Sequence, residues 1–308
     1  MLVSSTTDRG QVIQLPTGEA AFQDGDPVSA SAYSDALRTA AKATVAKATG
    51  VVMLAGQDAY WNHTNNNLTY RPANGRDFRA GVLTADADSA GIFAVIDLGK
   101  PGAYKCNAIV GPALSTTAGT VAAGGFDRAR MVGGCAKLLL SATNEAQKVD
   151  LLAVDGVSVS GKWILEAMFR VSNGGAGSAP DFSIGLASAT HATDADSIAE
   201  HAFIHIDGNA LLIKAQSKDG TTTVAAVDTT QVFVVGSAVT NRVHVLIDGR
   251  DTASVKFYVN GVAVNTATTF RLDNATGPLF PIAHLEKTAA TDAFEVDIDL
   301  LRLWTSEQ

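Results

Sequence analysis

The sequence predicts an all-β chain of about two domains, and three observations carry that expectation. Short alternating or continuous apolar runs, bounded by turn residues, recur along most of the chain from Val51 onward. Asn260-Gly261 separates Lys256-Phe257-Tyr258-Val259 from Val262-Ala263-Val264, and Asn-Gly supplies the positive φ angles that a two-residue type I′ hairpin requires. Of the 308 residues, 46% are hydrophobic and only 6% aromatic, so each domain has apolar material for a core made largely of small aliphatic side chains.

Taken in order, residues 1–30 are punctuated by Pro16, Gly18, Gly25 and Pro27 and read as an extended arm. Residues 31–50 leave two readings open. Their alanine content favours a helix, while the alternation Ala43-Thr44-Val45-Ala46-Lys47 suits a strand. Val51-Val52-Met53-Leu54 then reads as a strand, Ala55-Gly56 as a turn and Asp58-Ala59-Tyr60-Trp61 as a strand. A polar turn from Asn65 to Asn67 leads to Leu68-Thr69-Tyr70, followed by strands at Ala80-Gly81-Val82-Leu83 and Ile92-Phe93-Ala94-Val95-Ile96. Lys100-Pro101-Gly102 closes a first domain over 31–105. Residues 106–134, rich in Gly, Ala, Ser and Thr between Gly111 and Gly125, read as a linker or long loop. The second domain, 135–308, is all-β. Its signals are the run Lys162 to Arg170 before Asn173-Gly174-Gly175, the run Val243 to Ile247 before Asp248-Gly249, and turns at Asp155-Gly156, Asp207-Gly208 and Asp219-Gly220. Many short strands with frequent turns indicate a sandwich or barrel.

Composition excludes several functions. The net charge of −8 argues against a nucleic-acid binder, which needs cations to displace phosphate counterions. Residues 1–105 carry −1 and residues 106–308 carry −7, so the first part is freer to dock on another protein and the second is expected to face solvent. No stretch of about 20 residues stays apolar, Lys42 and Lys47 interrupting the best candidate for a membrane span. The start, Met-Leu-Val-Ser-Ser-Thr-Thr-Asp, lacks the basic and apolar regions of a signal peptide, so an intracellular product is expected. Cys106 and Cys135 form no CxxC and have no nearby histidine; buried thiols are expected, one disulfide remaining open should the protein end outside the cell. P-loop, GxGxxG, GxSxG and CxxC patterns are missing, and no cofactor is expected.

Two stretches resemble known families. Ala55-Gly56-Gln57-Asp58-Ala59-Tyr60-Trp61, the polar turn, Arg79-Ala80-Gly81-Val82-Leu83 and Phe93-Ala94-Val95-Ile96-Asp97-Leu98 are similar to the small β-domain of phage capsid cement proteins, the DUF2190 family. Val255 to Val262, with its Asn260-Gly261 turn, and Val296-Asp297-Ile298-Asp299-Leu300-Leu301-Arg302-Leu303-Trp304 resemble the hairpin and last strand of concanavalin A-like, laminin-G-like jelly rolls. The resemblances imply a small barrel-like N-terminal domain with an arm, followed by a jelly-roll sandwich. They imply a homotrimeric decoration protein on the outer surface of a virion, made in the host cytoplasm. The major capsid protein would be its partner, with host surface glycans as partners of a lectin-like domain.

Candidate site residues follow from spacing. Glu295-Val296-Asp297-Ile298-Asp299 puts three carboxylates on one strand face and resembles the acidic signature of glucanases sharing the jelly roll, where a carboxylate pair flanks the scissile bond. The third acid is Asp and the motif lies on the last strand, so the expectation is a solvated outer face, with Phe294, Val296, Ile298 and Leu300 in the core and no catalytic residue. His201, Phe203, His205 and Asp207 share one strand face, a spacing that metal ligands use and hydrogen-bonded histidines use equally. Asp194, Asp196 and Glu200 offer loop oxygens of the type calcium accepts, or a solvated acidic loop. Arg71, Arg76 and Arg79 surround the Pro72-Ala73-Asn74-Gly75 turn and are candidates for contacting capsid carboxylates. Tyr60 and Trp61 are core aromatics or contacts between copies.

Overall fold

The computed structural model describes residues 42–62, 64–73, 77–97, 104–109, 113–120, 125–127, 135–175, 177, 179–190 and 194–305. The expected arm at 1–30, Arg76 and the side chain of Cys106 lie outside them. The chain divides into two compact units at residues 103 and 104.

The first unit contains β1 (Lys42–Ala46), β2 (Asp58–Asn62), β3 (Asn67–Thr69), β4 (Phe78–Leu83) and β5 (Phe93–Asp97). They form one sheet in the order β1-β5-β4-β2-β3. A parallel bridge between Lys47 and Leu68 brings its two edges together, which makes the sheet barrel-like. The core is Val45, Met53, Ala59, Trp61, Leu68, Tyr70, Leu83, Ala87, Ala94 and Ile96. Gly81 stands where β4 crosses closest to β5: a Cβ there would lie 2.5 Å from the Asp97 carbonyl oxygen, so no larger residue fits without moving backbone. The asparagine turn is closed by Asn62, whose Oδ1 accepts the Thr64 N–H at 3.0 Å and the Asn65 N–H at 2.9 Å, with Asn66 at φ 51°. Val51 to Leu54 makes only a bridge, Met53 to Ala87, where a strand was expected.

The second unit begins with β6 (Tyr104–Asn107), β7 (Ala113–Ala118), β8 (Gly125–Asp127) and β9 (Cys135–Leu140). It continues with β10 (Glu145–Ala153), β11 (Val157–Ser158), β12 (Trp163–Asn173), β13 (Pro180–Ala187), β14 (Glu200–Asp207), β15 (Leu212–Asp219) and β16 (Thr223–Val232). The last five are β17 (Val243–Asp248), β18 (Lys256–Val259), β19 (Val262–Val264), β20 (Pro278–Ala290) and β21 (Phe294–Thr305). One sheet runs β16-β15-β14-β13-β20-β10-β7 and the other β19-β18-β17-β12-β21-β9-β8. Leu165, Ala167, Phe169 and Val171 from the second sheet meet Phe182, Ile184, Leu186 and Ile204 from the first in one shared core, as a jelly-roll sandwich requires. Phe169 and Phe182 meet edge to face across it, with ring centroids 5.2 Å apart.

Two details revise the sequence reading and a third agrees with it. The segment 106–134, expected to be a linker, supplies strands of the sandwich: β6 pairs with β21, β7 with β10 and β8 with β9. Its Gly, Ala and Ser residues carry no strong strand signal because these are short strands at the margins of the sheets. A bulge lies between the Met168–Leu300 and Phe169–Ile298 pairs, and Asp299 has no partner in the register. The alternation therefore changes phase: Phe294, Val296 and Ile298 point inward before the bulge, and Leu301 and Leu303, not Leu300, after it. The Asn260-Gly261 hairpin has φ angles of 50° and 81°, with Val259 opposite Val262, the geometry of a type I′ turn.

Two outcomes follow from this architecture. Gly261→Val places a β-branched residue at positive φ, with an expected loss of about 1–3 kcal/mol in denaturant unfolding; unchanged stability would contradict the turn assignment. A fragment of residues 104–308 should melt cooperatively, whereas 129–308, which lacks β6 to β8, should melt at least about 5 °C lower. Equal melting temperatures would show that those strands are dispensable.

Candidate functional site

Alternation along the β7 to β16 sheet sends Val149, Leu151, Phe182, Ile184, Ile204 and Ile206 into the core and their neighbours to the opposite face. On that face, strand register aligns Thr116, Asp150, His284, Ser183, His205 and Lys214 in one cross-strand row. Beside it, Lys148, Glu286, Asp181 and Asp207 form a second row. A polar band thus runs across six neighbouring strands.

His284 and Asp150 are fully buried. The His284 ring is clasped at Nδ1 by Asp150 and at Nε2 by Glu286, the latter at 2.9 Å. Burial opposes its charge, but the hydrogen bonds and charges of the two carboxylates outweigh it and raise its pKa to about 9. Burial likewise opposes ionisation of Asp150, yet His284, Lys148 and Thr116 hold its carboxyl below the ordinary range. The other oxygen of Glu286 accepts the Ala195 N–H at 3.0 Å, which ties the short turn Ala195–Ser197 to this face.

At the other end of the band, Asp181 lies directly opposite Asp207, and Ser183 directly opposite His205. His205 Nδ1 is 2.9 Å from Ser183 Oγ, and its Nε2 is 2.5 Å from Asp207 Oδ1. Lys214 Nζ donates to the second oxygen of Asp207. The hydrogen bond with His205, helped by Lys214 and opposed by burial, keeps Asp207 well below the usual carboxylate range. Asp181 is different. Burial, reinforced by the like charges of Asp207, Glu286 and Asp196 and opposed by His205, pushes it up to about 7. Burial disfavours the His205 imidazolium, but Asp207, Asp196 and Asp181 raise its pKa on balance. The ligand atoms of Asp181, His205 and Asp207 all lie within 4.8 Å of one another.

The predicted site residues are distributed as follows. His201 does share the face with His205, but its ring stacks on Phe203 at 4.5 Å and its Nδ1 lies 3.0 Å from the Ile198 carbonyl oxygen; burial lowers its pKa to about 4. Asp194, Asp196 and Glu200 are engaged separately. Asp194 caps the Ala195–Ser197 turn, Asp196 accepts from Gln216 at 2.5 Å, and Glu200 accepts the Thr276 and Gly277 N–H groups at 2.8 and 3.3 Å. Arg79 pairs with Asp58 at 2.6 Å, and the Arg71 guanidinium lies 5.4 Å from the Tyr70 ring centroid. Trp61 is in the core of the first unit and Tyr60 is half-buried. Asp181, brought opposite Asp207 and beside His205 only through strand pairing, carries no local signal of its own in the sequence.

The acids of the closing strand are not on a solvated face. Arg170, 1% exposed, bonds Asp299 at 2.9 Å and lies 3.6 Å from the fully buried Asp297. Arg242 takes the second oxygen of Asp299 at 2.6 Å, and Lys137 pairs with Glu295 at 3.0 Å. Nearby, Glu166 receives Arg302 and Trp304 at 2.9 Å each and meets His244 Nε2 at 3.0 Å. Burial resists the Glu166 charge, but Arg302, His244 and Trp304 bring its pKa down to about 2. A cleft of about 500 Å³ opens at one end of the sandwich between residues 156–160 and 275–280. Its lining includes Ser158, Ser160, Thr276 and Phe280 and no charged side chain, and Glu200 anchors one wall through Thr276 and Gly277.

The histidines supply a test. By NMR, His284 should keep its second proton to about pH 9 and His201 should stay neutral down to about pH 4. The folded pKa of His284 exceeds its ordinary 6.5, so its contribution to stability is complete below about pH 6.5 and is lost as pH rises through 9. A His284→Gln variant should therefore differ from the parent most at pH 6 and least above pH 9; a pH-independent difference would contradict the clasp.

No family model matches the chain, and no curated protein matches it. Solved structures do. The potassium-bound carbohydrate recognition domain of Emp46p is 14% identical with a TM-score of 0.39, over 62% of this chain and 88% of that one. The binding domain of botulinum neurotoxin DC, in complex with rat synaptotagmin II, is 14% identical with a TM-score of 0.40, over 62% and 43%. A protein of unknown function from Shewanella oneidensis MR-1 is 14% identical with a TM-score of 0.40, over 64% and 80%.

Proposed function

We propose that this chain is a non-catalytic attachment protein of a viral particle: the first unit holds it on the capsid shell and the sandwich is presented outward to bind glycans. The observation that carries the non-catalytic part is the pairing of all three closing-strand acids. Glycoside hydrolysis needs two carboxylates facing a substrate, one of them free to give and take a proton. Asp297 and Asp299 instead face Arg170 and Arg242, and Glu295 faces Lys137. Support for the attachment part lies in the first unit, whose core is built from residues of the cement-like motif, including Trp61, Leu83, Ala94 and Ile96. Copies bound at many sites would stabilise the assembled shell, as any ligand stabilises the state it binds. Tyr60, Arg71 and Arg79 are the described residues of this unit that the reading places at its contacts with the shell or with other copies.

The uncharged cleft beside Phe280 favours the glycan part of the reading. Hydroxyls and backbone groups beside an aromatic ring suit a neutral sugar, which offers hydroxyls of its own and an apolar ring face.

The reading is tested by incubating the purified chain with shells that lack it and with β-glucans. It should sediment with the shells and release no reducing sugar. Failure to bind shells, or hydrolysis abolished by Asp299→Asn, would overturn it. The same variant leaves Arg170 and Arg242 short of a buried partner and should cost about 3–5 kcal/mol of stability.

A further inference from the structure

We propose that Asp181, His205 and Asp207 form a binding site for a divalent transition-metal ion of the Zn²⁺ type, with Ser183 as the residue that orients the histidine. The site is independent of the attachment reading. Its parts come from two adjacent strands in a two-by-two block, Asp181 facing Asp207 and Ser183 facing His205. One nitrogen and two carboxylate oxygens converge within 4.8 Å. Three ligands about 2.0–2.2 Å from an ion stand roughly 3.4 Å apart, so the three groups would draw somewhat closer together to share one.

Three features favour an ion over a purely structural cluster. Like charges directly opposite on neighbouring strands destabilise a sheet, and Asp181 and Asp207 are such a pair. Lys214 pairs with Asp207; among the described residues no side-chain hydrogen bond or ion pair reaches the Asp181 carboxylate, on which His205 acts only through its charge. Next, Ser183 Oγ lies 2.9 Å from His205 Nδ1, so that when an ion replaces the Nε2 proton shared with Asp207, an Nδ1–H donated to Ser183 would hold the ring in place. Finally, the block is reachable: the Asp207 side chain is 33% exposed, and Lys214, on a long flexible stem, is 25% exposed and swings aside as an ion takes its place at Asp207. Two protein oxygens are too few for Ca²⁺, which takes six to eight, whereas imidazole with two carboxylates suits Zn²⁺ with water completing the shell.

Calorimetric titration of the chelator-treated full chain with Zn²⁺ tests this. One saturable site per chain is expected, with no site for Ca²⁺. Asp181→Asn and His205→Gln should each weaken Zn²⁺ binding at least about tenfold, His201→Gln should leave it unchanged, and Lys214→Met should tighten it. Asp181→Asn removes a like-charge pair and breaks no hydrogen bond seen here, so it should melt no lower than the parent without metal while losing the Zn²⁺-induced rise in melting temperature. No saturable binding at millimolar Zn²⁺, or binding that survives both Asp181→Asn and His205→Gln, would overturn the proposal.

Discussion

The structure of the second unit depends on one constraint: several ionisable side chains on the faces turned away from its core are themselves nearly dry, so their charge must be matched inside the fold. The shared core uses every second residue of each strand. The alternate residues include Asp150, His284, Glu166, Arg170 and Asp297, each 2% exposed or less. An isolated charge in such a position is prohibitively expensive, and pairing with a hydrogen-bonded counter-charge is what makes it tolerable. Strand register provides the counter-charge: Asp150 opposite His284, Glu166 opposite Arg302, and Arg170 opposite Asp297. A shift of one residue in any of these pairings would leave a charge facing a mismatched neighbour, so the polar faces specify register alongside the apolar core.

That constraint also shapes the chemistry. The closing-strand acids and Glu166 each face a guanidinium or ammonium group, and for Glu166 those partners outweigh burial and lower its pKa. Asp181 stands apart because its register partners are both carboxylates, Asp207 on one side and Glu286 on the other, and no guanidinium or ammonium group pairs with it among the described residues.

Much of the fold is legible in the sequence where its causes are local. Asn260-Gly261 announces a hairpin because two adjacent residues must adopt positive φ, and they do. Gly81 stands out as a glycine inside a strand-like run, and the close approach of β5 supplies the reason. The shared face of His201, His205 and Asp207 follows from period-two alternation. What stayed hidden depends on pairing between distant segments. Asp181 meets His205 only through the β13–β14 register, and the strands within 106–134 draw their order from β21, β10 and β9. Alternation also tells which face a residue occupies without telling whether that face is covered. For that reason Asp297 and Asp299 read as solvated acids although both are buried against arginine. The bulge at Asp299 is silent too, since nothing in Ile298-Asp299-Leu300 marks a change of phase.

The attachment reading assigns different tasks to the two units, and electron microscopy of shells reconstituted with the purified chain tests that division most directly. The account predicts density for the five-stranded unit against the outer shell surface, with the sandwich farther out. A sandwich seated on the shell with the small unit distal, or shells carrying no added density, would contradict it.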